Sequence, residues 1–206
     1  MKQWLQWHPG EFGPVLTGKT KNLYQGESPE DLLHALDGAN PEALDGYKEP
    51  LYEVLIAMAE QNDASAVRRL LGMCPALDLR GYREGFTALG AAAVKGAVDA
   101  MDALWELGAG TALGVGLSCD ALGFCWQYEV PPEAVKRIFS HGAFVDSSEA
   151  TELMVNEEWA LLRLALEAAK PERIAGLRAC VRECLADAPE NGETLEKGLE
   201  LLAEFL

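Results

Sequence analysis

From residue 50 onward, apolar positions recur at three- and four-residue steps, in runs that break at polar or glycine-containing points. That pattern predicts short amphipathic helices arranged in pairs. The segment LYEVLIAMAEQNDASAVRRLLGM divides at Gln61-Asn62-Asp63, with Leu51, Leu55, Met58 and Ala59 on one stripe and Val67, Leu70 and Leu71 on the next. In GFTALGAAAVKGAVDAMDALWELGAG the division falls at Lys95-Gly96; Leu89, Ala92 and Ala93 precede it, and Met101, Leu104 and Trp105 follow. The two stretches superpose with a shift of about 34 residues, a period typical of helical repeats. Leu55 then falls on Leu89, Ala59 on Ala93, Asn62 on Gly96, Val67 on Met101 and Leu70 on Leu104. The register continues into a third unit, where Val135, Ile138, Phe139, Gly142 and Ala143 fall on Met101, Leu104, Trp105, Gly108 and Ala109.

The flanks read differently. The first 27 residues scatter Trp4, Leu5, Trp7, Phe12, Val15, Leu16, Leu23 and Tyr24 among glycines and prolines without a period. Aromatic side chains this close to a chain end are costly to leave in water, so the segment is expected to cap an apolar edge. Ser28-Pro29-Glu30-Asp31 supplies an N-cap, a first-turn proline and first-turn acids for one short helix ending near Asp37-Gly38. After Asp146 a fourth helix pair is expected over 149–155 and 158–169. A further helix begins at Pro171-Glu172 and carries Ile174, Leu177, Val181 and Leu185, and a last one places Leu195, Leu199 and Leu202 on one face. The organisation expected is a cap segment over 1–49, repeats over 50–170 and C-terminal capping helices over 171–206, in an all-α helical repeat solenoid.

Thr87-Ala88-Leu89-Gly90, Ala92-Ala93, Gly96, Leu104 and Gly108-Ala109 resemble the ankyrin-repeat pattern T-P-L-H-x-A-A-x-x-G followed by a leucine pair and G-A. Ala88 stands where that family has proline, Gly90 where it has histidine, and Trp105 where it has the second leucine. The resemblance covers roughly residues 50 to 170 and implies a stack of helix pairs that serves as a protein-binding surface. In such a stack the first helices lie close together, so Ala91, Ala92 and Ala93 act as spacers where larger side chains would wedge neighbours apart. Gly96 and Gly108 close helices where a left-handed backbone is cheapest for glycine.

Composition narrows the function. The 206 residues carry a formal charge of -16, which repels nucleic-acid phosphates and anionic lipid and favours a partner with a basic surface. The opening MKQWLQWHPGEF has no basic segment followed by an apolar run, so no secretory signal and no membrane span are expected, and the protein is expected to be cytoplasmic. Five cysteines, an odd number, point to reduced thiols over a disulfide framework.

Candidate chemistry is sparse. Cys180 and Cys184 have a metal-like spacing, but zinc wants four ligands and the pair reads as two helix thiols. His141 stands at the end of a helix, where a cation is favoured by the helix dipole, and His34 reads as a surface residue. Gly13 to Thr20, GPVLTGKT, keeps the ending of a phosphate loop but has too few residues between its glycines. No metal, cofactor or catalytic set is expected. The features left are those of recognition: Arg80, Tyr82 and Arg83 at a tip between units, Trp126 and Tyr128 on a first helix, and the acids Glu149, Glu152, Glu157 and Glu158. Together they predict a non-catalytic protein-binding scaffold, foremost an acidic inhibitor or immunity protein that neutralises a basic toxin or enzyme. The alternatives are an adaptor or effector between other proteins, and an enzyme using His141, Cys119 or the acidic cluster.

Overall fold

The computed structural model describes residues 5–8, 13–16, 48–75, 77, 79, 82–83, 85–114, 121–169, 171–187 and 191–205. Ten helices account for most of them, so the chain is predominantly helical as its periodicity predicts. Two short antiparallel hairpins are the departures. Strands β1 (Leu5–His8) and β2 (Gly13–Leu16) pair in the register Leu5↔Leu16 to His8↔Gly13, in a segment whose glycines and prolines mask any alternation. The GPVL that begins the phosphate-loop-like stretch is thus β2 itself. The helix expected at Ser28 lies outside the described residues. By its internal contacts the chain divides into two compact units, Met1–Val115 and Gly116–Leu206, and the division falls inside the expected span 50–170.

In the first unit, α1 (Lys48–Glu60) and α2 (Ala64–Met73) form one pair, and α3 (Ala88–Lys95) and α4 (Val98–Glu106) the next. Between the pairs, β3 (Tyr82–Arg83) and β4 (Phe86–Thr87) make a two-residue hairpin. Like packs on like: α1 lies along α3 and α2 along α4. Leu51, Leu55, Met58 and Ala59 of α1 and Leu89, Ala92 and Ala93 of α3 are all buried, and side chains as small as alanine leave room for two helices to approach closely. Where α3 begins, Thr87 is 1% exposed and its hydroxyl accepts the Gly90 N–H at 3.1 Å while donating to the Ala112 carbonyl at 2.9 Å. The Thr87 N–H in turn donates to the Leu113 carbonyl at 3.1 Å. That carbonyl occupies the space a Cβ on residue 90 would need, which is why glycine stands there.

In the second unit, α5 (Ala121–Gln127) and α6 (Pro132–Ser140) form a pair, and α7 (Ser147–Val155) and α8 (Trp159–Ala168) another. Here α6 packs on α8, and α5 on both α7 and α8. The longer α9 (Pro171–Asp187) and then α10 (Gly192–Ala203) pack against each other and against α7. Ile174, Leu177 and Val181 face inward from α9, as do Leu195 and Leu202 from α10, whereas Leu199 is half-buried. Gly198 takes the inward place instead, because α10 comes so close to α7 that a Cβ there would collide with the Met154 thioether.

All four pairs turn in the same way. A left-handed residue stands one or two positions past the end of each first helix: Asn62 (φ 57°), Gly96 (68°), Glu129 (48°) and Glu157 (58°). Its N–H returns to the carbonyl three residues back, and the next N–H to the carbonyl five back, as in Asn62 to Ala59 and Asp63 to Met58. The same two bonds recur at Gly96, Glu129 and Glu157, giving four Schellman closures of equal hand. Gly108 and Gly142 close α4 and α6 in the same geometry.

Candidate interaction surface

The turn after the first helix recurs in all four described pairs, and in the second unit it is acidic. Glu129 and Glu157 occupy left-handed positions and are exposed, and Glu158 follows Glu157 and is exposed too. A non-glycine residue in this conformation costs about 1–2 kcal/mol through the clash of its Cβ with the backbone. Glu129 was not singled out by sequence reasoning; its alignment with Gly96 in the repeat register is the signal that finds it.

The acids from 149 to 158 differ in exposure and bonding. Glu152, Glu157 and Glu158 are exposed, but Glu149 is half-buried and its carboxylate accepts the Gly123 N–H at 2.7 Å. Gly123 is the third residue of α5, as Gly90 is of α3, so Glu149 supplies from α7 the cap that Thr87 supplies locally for α3. Partial burial pushes the Glu149 carboxyl above its usual range, the Gly123 bond pulls it back, and repulsion from Glu152 adds to the rise. Glu149 therefore caps the start of α5 through one carboxylate oxygen while remaining partly exposed. A second cap crosses between pairs in the first unit. Ala97 precedes α4 and has no capping side chain, and Asn62 reaches over from the α1–α2 turn to fill the gap. Its side-chain oxygen accepts the Ala100 N–H, and its amide donates to Asp99, both at 3.0 Å.

The aromatic candidates are held beside the helix core. Phe124 is buried in α5, and Tyr128 packs on it with ring centroids 4.8 Å apart. Tyr128 and Trp126 are both half-buried, so each shows part of its ring at the end of α5. Arg80 lies outside the described residues, and Tyr82 and Arg83 are placed by their backbone in β3, opposite Thr87 and Phe86. Phe144, in the loop between α6 and α7, is 49% exposed between the buried Ala143 and Val145.

Elsewhere the charges are partly compensated or mixed. At the C-terminal end of α10 the capping residue Glu204 pairs with Arg163 at 2.8 Å, and within the helix Glu193 pairs with Lys197 at 3.1 Å. An open groove of about 410 Å³ between α6 and α8 is lined by Glu133, Lys136, Arg137, Ser140, Glu167 and Ala168 and presents both signs. His141 is exposed at the C-cap of α6, Cys125 is buried, and Cys119 and His34 lie outside the described residues. Among the described residues no three His, Cys, Asp or Glu side chains gather as a metal site, and no helix is long and apolar enough to cross a membrane. Comparison with protein-family models, curated proteins and solved structures returned no match.

Proposed function

We propose that this chain is a non-catalytic protein-binding scaffold, an ankyrin-like stack of helix pairs acting in the cytoplasm, that neutralises a basic toxin or enzyme by covering it with an acidic surface. The repeat reading is supported by the four turns of one hand, by the packing of like helix on like in the first unit, and by the Thr87 cap at the start of α3. The observation that carries the inhibitor reading is the pair Glu129 and Glu157. Each keeps a carboxylate at a position where Gly96 shows the cheaper choice, and each does so in a chain already at -16. Both the backbone and the electrostatic cost oppose folding, and both are offset when a cationic surface docks. Fields of this kind raise the rate of encounter with a basic partner and make it fall with salt.

The test is capture of partners from native lysate by the tagged full chain at low and moderate salt, repeated with Glu152, Glu157 and Glu158 all changed to Lys. A basic enzyme that is inactive while bound, released by salt and not captured by the triple variant, is the expected result. Neutral partners retained at both salts and by the variant would reject it. They would favour an adaptor, the reading to which the exposed Phe144 belongs.

A further inference from the structure

Cys180 and Cys184 stand one helical turn apart on α9. At that spacing their Cβ atoms are about 5–6 Å from each other on one face of the helix. Ile174, Leu177 and Val181 are the buried stripe of α9, and the two cysteines border it, half-buried, whereas Cys74 and Cys125 are fully buried. The pair is thus reachable from solvent, yet rests against apolar packing where a strongly hydrated ion gains little.

Geometry and ligand number then decide what the pair can hold. A disulfide needs Cβ atoms about 3.5–4.5 Å apart, closer than an intact helix sets them, and both thiols are free. A disulfide between the two is therefore disfavoured as long as α9 is folded. A structural zinc site wants four protein ligands, and among the described residues not even three gather. Monovalent copper is soft, prefers thiolate and is satisfied by two of them in a near-linear arrangement. We propose that Cys180 and Cys184 bind one Cu(I) ion per chain as a bis-thiolate. Two S–H bonds are given up and two S–Cu bonds form, so two protons leave as one cation arrives. The neutral dithiol becomes a complex with a single negative charge, and copper keeps its oxidation state throughout. Because each thiol must lose a proton, affinity falls as pH falls. The inference is independent of the partner-binding reading and stands or falls without it.

The experiment is an anaerobic titration of the reduced full chain with Cu(I) held by a chromogenic chelator such as bicinchoninate. The expected result is withdrawal of one copper per chain, lost in Cys180→Ser and in Cys184→Ser and kept in Cys119→Ser. A measurement needing no substitution runs beside it: the copper-loaded wild-type chain is alkylated with iodoacetamide and its peptides are weighed. Cys180 and Cys184 should be protected together on loading. Failure to draw copper from the chelator, protection of other cysteines in their place, or copper retained by the doubly substituted chain would each overturn the proposal.

Discussion

At Gly90 the absence of one methyl group decides whether α3 can start beside Leu113. A Cβ there would run into the Leu113 carbonyl, which is fixed by the Thr87 N–H and cannot retreat without breaking that bond. Gly90→Ala is therefore expected to destabilise the protein by about 1–3 kcal/mol, the usual range for overpacking, as read from urea unfolding. Gly198→Ala should cost less, because its obstacle is the movable end of Met154. Glu149 gives a second residue-scale expectation. Its carboxyl titrates above the usual value in the folded chain, so the ionised form weakens the fold at neutral pH. That penalty is fully present above the raised folded value and disappears as pH falls through it towards and below the unfolded one. Glu149→Gln keeps an acceptor for the Gly123 N–H without the charge. The variant should be at least as stable as wild type at pH 7 and lose that advantage near pH 4, a difference that thermal melts across pH would show. A variant less stable at pH 7 would mean that the charge itself strengthens the cap.

At the scale of the element, a helix pair here is defined as much by its turn as by its stripe. Each first helix stops because a left-handed residue lets two N–H groups fold back on its last carbonyls, and glycine is the cheapest residue for that task. Glu157→Gly should raise stability by about 1 kcal/mol, and Glu129→Gly by a similar amount, since each relieves a left-handed Cβ. Calorimetry or urea unfolding checks this. On the proposed function the same substitutions weaken binding, so stability and affinity should move in opposite directions. Asn62 couples its own turn to the neighbouring pair through the Ala100 N–H. Asn62→Gly should lose the bonds to Ala100 and Asp99 with part of that loss offset by an easier left-handed backbone, while Asn62→Ala loses the same bonds and keeps the backbone cost, so the alanine variant should be the less stable, by about 1 kcal/mol. Arg68 and Glu106 also bridge α2 and α4, but both are exposed and their pair contributes at most about 1 kcal/mol.

Over the whole molecule, the charge of -16 sets carboxylate against carboxylate. Ion pairs such as Arg163–Glu204 relieve it only locally. Screening acts on the remainder, so raising salt from about 0.01 M to 0.15 M, which shortens the Debye length from about 30 Å to 8 Å, should raise the melting temperature. A melting temperature that fell with salt would show that ion pairing outweighs self-repulsion. On the expected rise, salt acts in two directions at once, firming the free chain and, on the proposed function, loosening its hold on a basic partner.

The helix pairs were legible because the 3.6-residue period of an amphipathic helix is written directly in the order of Leu55, Met58, Leu70, Leu89 and Leu104, and burial merely selects that face. Acidity and the turn positions were legible for the same reason, being local. What depended on tertiary structure was everything that reaches between elements. Position 90 is glycine because of a carbonyl far along the chain, Glu149 is engaged by the Gly123 N–H at the start of another helix, and Asn62 completes a helix in the next pair. The first hairpin belongs here too, since Leu5–His8 is a strand only once Gly13–Leu16 lies beside it. A periodicity is a property of consecutive residues and can be read along the chain. An unmet hydrogen bond or a missing space is a property of neighbours in three dimensions, and only the folded chain brings those neighbours together.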